Sequence, residues 1–368
     1  MSREVLAFKI GGFSLINDQL GAALSRQLPE YTFRWHDVID LCRSHPATYA
    51  AATAEAVGRY ARKMLEWKLP PSAFLPRTNA FIQFFHRWVR REIPKSVAFT
   101  FQTQSLFDAN SGQVPHFVYT DHTYLANRRY PSPKPLLPSS QNWLEMERAL
   151  YRNATANFLS SEFATRSVIE DYEVHAERAL SVSLGMNLDF PAEIPVRGDG
   201  QRILFVGVQW ERKGGPDLVD AFVQILDEFP KAELHIVGCA LACPHPRIKL
   251  HGRVPREAVA EHLREADVFC LPSRLDPSAA ALAEASAYGL PVIGTRVGGN
   301  AERVIDGQTG LLVEPERPDQ LASALRQLLK NSDLRKTMGA AGRQFAAENF
   351  TWEAVAAKIA NRIRDELA

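Results

Sequence analysis

The second half of the chain alternates short apolar runs with segments that have the apolar period of an amphipathic helix. The predicted strands are 202–208, 232–238, 248–252, 266–273, 291–295 and 310–314, and the predicted helices are 215–229, 255–265, 279–288 and 318–331. Strands that alternate with helices predict a doubly wound parallel sheet. Such sheets bind ligands at the carboxyl ends of their strands, so we expect the loops that follow these runs to carry the chemistry.

The first half has a similar but less regular pattern, with the turn Gly11-Gly12 between its first strand and its first helix. The predicted strands there are 5–10, 31–38, 96–101 and 116–123, and the first helix is 17–28. A stretch rich in proline and glycine without periodicity, 187–201, is typical of a linker between domains. We therefore predict an amino-terminal Rossmann-like domain at 1–186, the linker, and a carboxyl-terminal Rossmann-like domain at 202–351. A last helix follows at 352–368, with Thr351 as its N-cap.

The charge and the cysteine content indicate which kinds of partner and which cellular compartment to expect. The 43 basic and 42 acidic side chains leave a formal net charge of +1, which gives no reason to expect nucleic acid as a partner. The four cysteines are scattered, as in proteins of a reducing compartment. The start lacks the apolar core of a signal peptide, and no uncharged apolar run reaches about 18 residues. These features predict a cytoplasmic protein that at most touches a membrane surface.

The segment around 273–302 places two carboxylates on either side of a predicted helix start. Asp276 precedes the helix, and Glu284 lies about one and a half turns inside it. The first amides of a helix, here near Ser278 to Ala281, lack intrahelical partners and attract phosphate. Glu284 would then accept hydrogen bonds from a sugar diol, and Asp276 would contact a second polyol. The alternative is that Asp276 only caps the helix and that Glu284 lies on a solvated face.

The loop after strand 202–208 carries two adjacent cations. Arg212 and Lys213 precede Gly214-Gly215, in a position to neutralise a diphosphate leaving group. The alternative is an ordinary basic loop before a helix. The chain contains no Asp-x-Asp pair, so this chemistry does not call for a metal.

Together, these segments resemble the donor domain of retaining glycosyltransferases of family four, which have the GT-B fold. The resemblance covers nearly all of residues 202–350, through "FVGVQWERKGG", "LPS", "DPSAAALAEASAYGLPVIGT" and "VGGNAERVIDGQTGLLVEP". It is weaker in the first half, through Gly11-Gly12 and "YTDHT". It implies an α/β fold of two Rossmann-like doubly wound domains facing across a cleft, with the helix 352–368 packing back on the first domain.

The resemblance also implies residue roles. Lys213 and Arg212 would hold the donor diphosphate, Asp276 would contact the donor sugar, and Glu284 would bind ribose hydroxyls. His122 would lie near the reacting sugar, with Gly11 and Gly12 under the phosphates. The remaining donor-site candidates are the small residues at these loops: Gly207, Ser278, Ala279 and Ala280. The chain departs from the family pattern at Asp276, at Ser278-Ala279 and at Val208.

The predicted function is metal-independent transfer, with retention, of a sugar from a nucleotide diphosphate donor to a glycan or lipid-linked acceptor, in polysaccharide or glycoconjugate synthesis. No cofactor is expected beyond the nucleotide-sugar co-substrate. The alternatives are a non-catalytic nucleotide-sugar or glycan-binding subunit and a sugar-nucleotide epimerase.

Two smaller signals remain. The segment 81–92 is predicted to be an amphipathic helix with aromatic and basic side chains, which either packs on the sheet or rests on an anionic membrane. The segment 127–135 is a second candidate surface for membrane contact. A zinc site formed by His235, Cys239, Cys243 and His245 fits no common ligand spacing, so we expect partly buried cysteines there instead.

Overall fold

The structure, a computed structural model, describes residues 3–12, 15–130, 139–194, 201–239 and 245–368. They form two compact units. Within the described ranges, the first unit holds residues 3–129, 139–182 and 356–368, and the second holds Tyr130 and residues 183–355.

The first unit is built on a six-stranded parallel sheet. Its strands are β1 (Arg3–Lys9), β2 (Tyr31–Asp37), β3 (Phe99–Thr103), β4 (His116–Thr120), β5 (Ala156–Leu159) and β6 (Ala179–Ser181). Its helices are α1 (Ile16–Gln27), α2 (Val38–Arg43), α3 (Pro46–Trp67), α4 (Asn79–Glu92), α5 (Gln141–Asn153) and α6 (Glu162–Glu170), with short 3-10 helices at Pro71–Arg77, Leu125–Arg129 and Ala176–Arg178. The strand order is β2-β1-β3-β4-β5-β6.

The second unit repeats this architecture with its own six-stranded parallel sheet. Its strands are β7 (Arg202–Val206), β8 (Glu233–Val237), β9 (Ile248–Gly252), β10 (Val268–Cys270), β11 (Val292–Thr295) and β12 (Gly310–Val313). Its helices are α7 (Gly215–Val223), α8 (Arg256–Glu265), α9 (Ala280–Ala287), α10 (Pro318–Lys330) and α11 (Ser332–Asn349), with a 3-10 helix at Gly298–Glu302; α12 (Trp352–Leu367) ends the chain. The strand order β12-β11-β10-β7-β8-β9 confirms the predicted doubly wound fold.

The central strands of both sheets are buried, as parallel strands covered by helices are. Every residue of β3 and of β4 is buried, and the same holds for β10 and β11. In the second unit the predicted strands and helices all form, with bounds that differ mostly at their ends. The helix predicted at 215–229 is shorter in the structure, where it ends at Val223. The Thr351 hydroxyl accepts the amide of Ala354 at 3.1 Å, as an N-cap does.

The described part of the predicted linker 187–201 packs into the second unit, which starts at Ser183. The amide of Asn187 donates to Glu284 at 2.9 Å, and the Arg343 guanidinium donates to the carbonyl of Ala192 at 3.2 Å. Residues 195–200 lie outside the described residues. The second unit therefore begins ahead of the predicted linker and includes its described residues. These polar contacts hold residues 187–192 on the second unit.

The aromatic face of α4 belongs to the core of the first unit. Phe81, Phe84 and Phe85 are buried, and Trp88 packs against the same core. The basic side chains of the segment are exposed: His86, Arg87, Arg90 and Arg91. A membrane contact by residues 81–92 thus stays a prediction that involves only these basic side chains. Residues 131–135 of the second candidate surface lie outside the described residues.

Among the described helices, none combines the length and the apolar character that crossing a lipid bilayer requires.

His116 generates a prediction for the first unit. The ring is buried, with Nδ1 at 2.7 Å from the Thr100 hydroxyl and Nε2 at 3.1 Å from the Gln102 carbonyl oxygen. Burial lowers the pKa of His116 from 6.5 to about 3. The unfolded chain therefore binds a proton between these values that the folded chain does not. We expect this residue to cost up to about 1.4 kcal/mol of unfolding free energy for each pH unit as pH falls from 6.5 toward 3.

Urea unfolding of the wild type and of His116→Gln across this range measures the effect, since glutamine does not titrate. The difference between the two free energies of unfolding should change with pH below 6.5 and stay constant above it. Parallel pH profiles for the two proteins would contradict the assignment.

Candidate active site

The candidate residues of the second unit gather where β7 and β10 end. These strands are neighbours in a parallel sheet, so their following loops emerge at the same edge. The backbone joins the two loops, because the amide of Arg274 donates to the carbonyl of Arg212 at 2.9 Å. The sheet topology thus brings together two loops that are about sixty residues apart along the chain.

A buried ion pair lies at the centre of this edge. The Lys213 ammonium contacts the Asp276 carboxylate, and the Arg212 guanidinium lies 3.8 Å from the same oxygen. The Ser273 hydroxyl donates to that oxygen at 3.0 Å. Burial by itself would raise the pKa of Asp276, but the two cations and the hydrogen bonds outweigh it and hold the pKa below its usual value. Asp276 is thus an anion with only 4% of its side chain exposed.

This geometry excludes two alternatives that the sequence left open. Asp276 does not cap α9, because the helix begins at Ala280 and its N-cap residue is Ala279. Arg212 also donates to the carbonyl of Leu275 at 2.8 Å, which fixes the backbone beside the carboxylate. The loop before Gly214 is therefore not an ordinary solvated basic loop: the side chains of Arg212 and Lys213 are 20% and 13% exposed.

The start of α9 is shaped by two residues that sequence reasoning missed. Ala279 takes the N-cap position without a side-chain cap, and its own amide donates to the Asn300 side chain at 3.0 Å. Arg303 is buried and donates to the Ser278 hydroxyl from two nitrogens, at 2.9 and 2.6 Å. The amides of Ala280 and Ala281 then lie in the first turn, where helical amides lack an intrahelical acceptor.

Two glycines allow the loops to pack this closely. Gly214 has φ +71°, and a Cβ there would lie 1.8 Å from the carbonyl oxygen of Pro272. Gly298 has φ +52°, and a Cβ there would lie 2.0 Å from the carbonyl oxygen of Asp276. Both conformations favour glycine, and both close approaches require it.

Glu284 points inward rather than to solvent. It is 9% exposed, and its carboxylate accepts the amide of Asn187 at 2.9 Å. Burial raises the pKa of Glu284, while the amides of Asn187 and Leu188 oppose that rise. The alternative of a solvated face is therefore wrong for this residue.

A mostly apolar cavity of about 330 Å³ opens at the ends of β7 and β8. Its walls are Val206, Gly207, Val208, Val237, Gly238, Arg253, Val254 and Val259. A Cβ on Gly207 would lie 3.2 Å from Cγ of Lys213, so the cavity and the ion pair are adjacent. Sequence reasoning included Gly207 but missed Arg253, Val254 and Val259, which follow β9 and carry no recognisable motif.

The remaining candidates lie at the same kind of edge in the first unit. Gly11 follows β1 with φ +53°, and its amide donates to Asp37 at 2.7 Å. A Cβ on Gly11 or on Gly12 would meet no neighbour within 4 Å. His122 follows β4 and stacks on Phe163, with ring centroids 6.1 Å apart. The structure thus places these residues after strand ends of the first sheet, and their roles stay predictions.

Comparison with known proteins supplies the family. Residues 188–345 match the model of the glycosyl transferases group 1 family. The second unit therefore contains the segment that is similar to this family. The resemblance inferred from the sequence is confirmed, and the matched residues include Lys213, Asp276 and Glu284.

The curated relatives match only part of the chain. An uncharacterized glycosyltransferase from Methanocaldococcus jannaschii is 35% identical over 48% of this chain and 50% of its own length. A D-inositol 3-phosphate glycosyltransferase from Corynebacterium diphtheriae is 28% identical over 58% of this chain and 56% of its own length. The chain thus spans about half the length of these curated relatives.

Solved glycosyltransferase structures share the fold over the whole chain. The sucrose-phosphate synthase from Thermosynechococcus elongatus superposes with a TM-score of 0.68 at 19% identity, covering 99% of this chain and 98% of that one. This likeness confirms the predicted GT-B fold class, with its two parallel sheets and flanking helices.

The Lys213 and Asp276 pair yields a prediction for the stability of the second unit. Lys213→Ala leaves a buried carboxylate with only Arg212 nearby, and we expect it to lower the free energy of unfolding by about 3 kcal/mol. Lys213→Ala combined with Asp276→Asn should recover part of that loss, because the buried carboxylate is removed together with the lysine. Denaturant unfolding of the two single variants and the double variant gives the coupling energy.

Lys336→Ala is the matched control, since this lysine lies in the same unit with its side chain 80% exposed. Additive effects of the two substitutions would show that the ion pair is not coupled and would contradict the prediction.

Proposed function

We propose that the chain is a retaining glycosyltransferase that transfers a sugar from a nucleotide diphosphate donor. The observation that carries the proposal is the meeting of Arg212, Lys213 and the uncapped start of α9 at one sheet edge, beside the buried Asp276 carboxylate. Two fixed cations and a helix start are the features that stabilise a departing diphosphate. The group 1 family match supports the same reading.

The second unit contains groups whose chemistry suits each part of a nucleotide-sugar donor. The 330 Å³ cavity beside Gly207 has apolar walls and a size suited to a nucleobase. Arg212 and Lys213 would face the diphosphate, and Asp276 would accept a hydrogen bond from a sugar hydroxyl. Glu284 is buried and its carboxylate accepts the amide of Asn187, and we propose that it also accepts a hydrogen bond from the ribose.

The proposed reaction is a displacement on one face of the sugar. The acceptor hydroxyl oxygen bonds to the anomeric carbon as the bond from that carbon to the phosphate oxygen breaks. The leaving nucleoside diphosphate takes the electron pair, and its oxygen takes the acceptor proton on the same face. Arg212 and Lys213 stabilise the charge that develops on the diphosphate, so we propose that this transfer is independent of a metal.

Nucleotide binding tests the donor site first. At a concentration about 100-fold above Kd, the correct nucleotide should raise the free energy of unfolding by about 2.7 kcal/mol. A thermal-shift panel of UDP, GDP, ADP and their sugar conjugates measures this on the wild type, on Lys213→Ala and on Glu284→Ala. We expect each variant to bind at least about tenfold more weakly, a loss of about 1.4 kcal/mol.

Each protein is compared with its own unliganded baseline, so lower stability of a variant does not count as lost binding. Lys336→Ala should bind like the wild type. A panel in which no nucleotide stabilises the wild type at millimolar concentration would sink the donor-site proposal and favour a non-catalytic glycan-binding role.

Product analysis then tests transfer. The nucleotide sugar that binds is incubated with an acceptor panel that includes D-inositol phosphate, the acceptor class named for one relative. We expect release of nucleoside diphosphate together with a glycoside whose anomeric configuration, read by proton NMR, equals that of the donor. Inverted configuration would overturn the retaining mechanism, and an altered free sugar without a glycoside would indicate an epimerase instead.

A further inference from the structure

Three histidines of the second unit come together away from the ion pair. His235 lies on β8, His251 lies on the neighbouring edge strand β9, and His262 lies on α8. One ring nitrogen from each lies within 4.8 Å of the others. His235 Nδ1 is 3.0 Å from His251 Nε2, and the ring centroids of His251 and His262 are 4.3 Å apart. No other group of this kind occurs in the described part of the chain.

We propose that His235, His251 and His262 bind a divalent transition-metal ion, Zn²⁺, with water as the fourth ligand. Imidazole nitrogen is a preferred zinc ligand, and three histidines with an open position form a known type of tetrahedral site. Bonds of about 2.0–2.1 Å place tetrahedral ligand nitrogens about 3.3 Å apart. The 3.0 Å pair is already near that distance, and the half-exposed His251 and His262 have side-chain freedom to close the rest.

The groups around the three rings suit a metal site. Glu233 approaches His235 Nε2 at 3.4 Å, the nitrogen that does not face His251. A carboxylate in this position orients a metal-binding imidazole and increases its basicity. Nδ1 of His262 is buried and has no hydrogen-bond partner among the described residues, so a bound ion would satisfy it.

The local charges also permit a dication. Arg202 is the cation whose charge acts on all three rings, and it is paired with Glu265 at 2.7 Å. Glu233 and Glu261 add two further carboxylates.

This cluster differs from the grouping considered from the sequence. Of that grouping only His235 takes part, because the Cys239 thiol donates to the carbonyl of Gly207 at 2.7 Å and His245 packs edge-on to Phe222. Cys243 lies outside the described residues. His251 and His262 were missed because their spacing along the chain matches no short motif, and only the pairing of β8 with β9 under α8 brings them together.

Zinc titration of the metal-free protein, prepared without a histidine tag, tests the proposal. Calorimetry should give one Zn²⁺ per chain for the wild type. Loss of an outer carboxylate partner typically weakens metal binding about 10- to 100-fold, so Glu233→Gln should bind about tenfold more weakly. His251→Gln and His262→Gln each remove a ligand and should bind at least about 100-fold more weakly.

His175→Gln is the matched control, because this histidine is exposed in the first unit, and it should bind zinc like the wild type. Co²⁺ titration of the wild type is independent of any variant's folding, and a tetrahedral site should produce intense visible absorption. Absence of stoichiometric zinc binding, octahedral Co²⁺ spectra, or equal affinity in the His262→Gln variant would each overturn the proposal. None of these readouts depends on sugar transfer.

Discussion

The buried contact between Lys213 and Asp276 is the interaction on which the candidate site depends. A carboxylate with almost no exposure is stable as an anion only where cations and hydrogen bonds compensate it. Lys213, Arg212 and Ser273 all supply that compensation from two loops. The loops of β7 and β10 are therefore fixed to one another by electrostatics as well as by their backbone bond.

Arg303 performs a comparable role at the start of α9. Its guanidinium donates to the Ser278 hydroxyl and, at 2.8 Å, to the carbonyl of Leu184, and it lies 4.4 Å from the ring centre of Phe350. One buried cation thus joins the helix start, the first residues of the second unit and the end of α11. Glu284 reinforces this from inside the helix through the amide of Asn187. The region around the helix start is consequently pre-organised, which reduces the cost of ordering these residues when a ligand binds.

The sequence predicted the second unit well because its buried strands are short apolar runs between clear helix signals. It also placed Lys213, Asp276 and Glu284 near one sheet edge, since parallel strands end together. It did not predict β5 or the long helix α3, whose stability comes from packing within the first unit. The spacing along the sequence did not decide whether Glu284 is buried or solvated. Its burial depends on contacts with residues 187–188, which are distant in sequence. Arg303 carries no local signal at all, since a buried arginine is recognised only through its acceptors.

Most of α12 belongs to the first unit, and this affects how that unit folds. Residues 356–368 belong to the first unit, where Arg364 pairs with Glu30 at 3.0 Å and Arg362 donates to the carbonyl of Glu177 at 2.8 Å. The second unit ends at Val355, whereas the first unit includes residues 356–368, which follow the whole second unit along the chain. The amino-terminal sheet therefore completes its packing only when a segment far away in sequence reaches it.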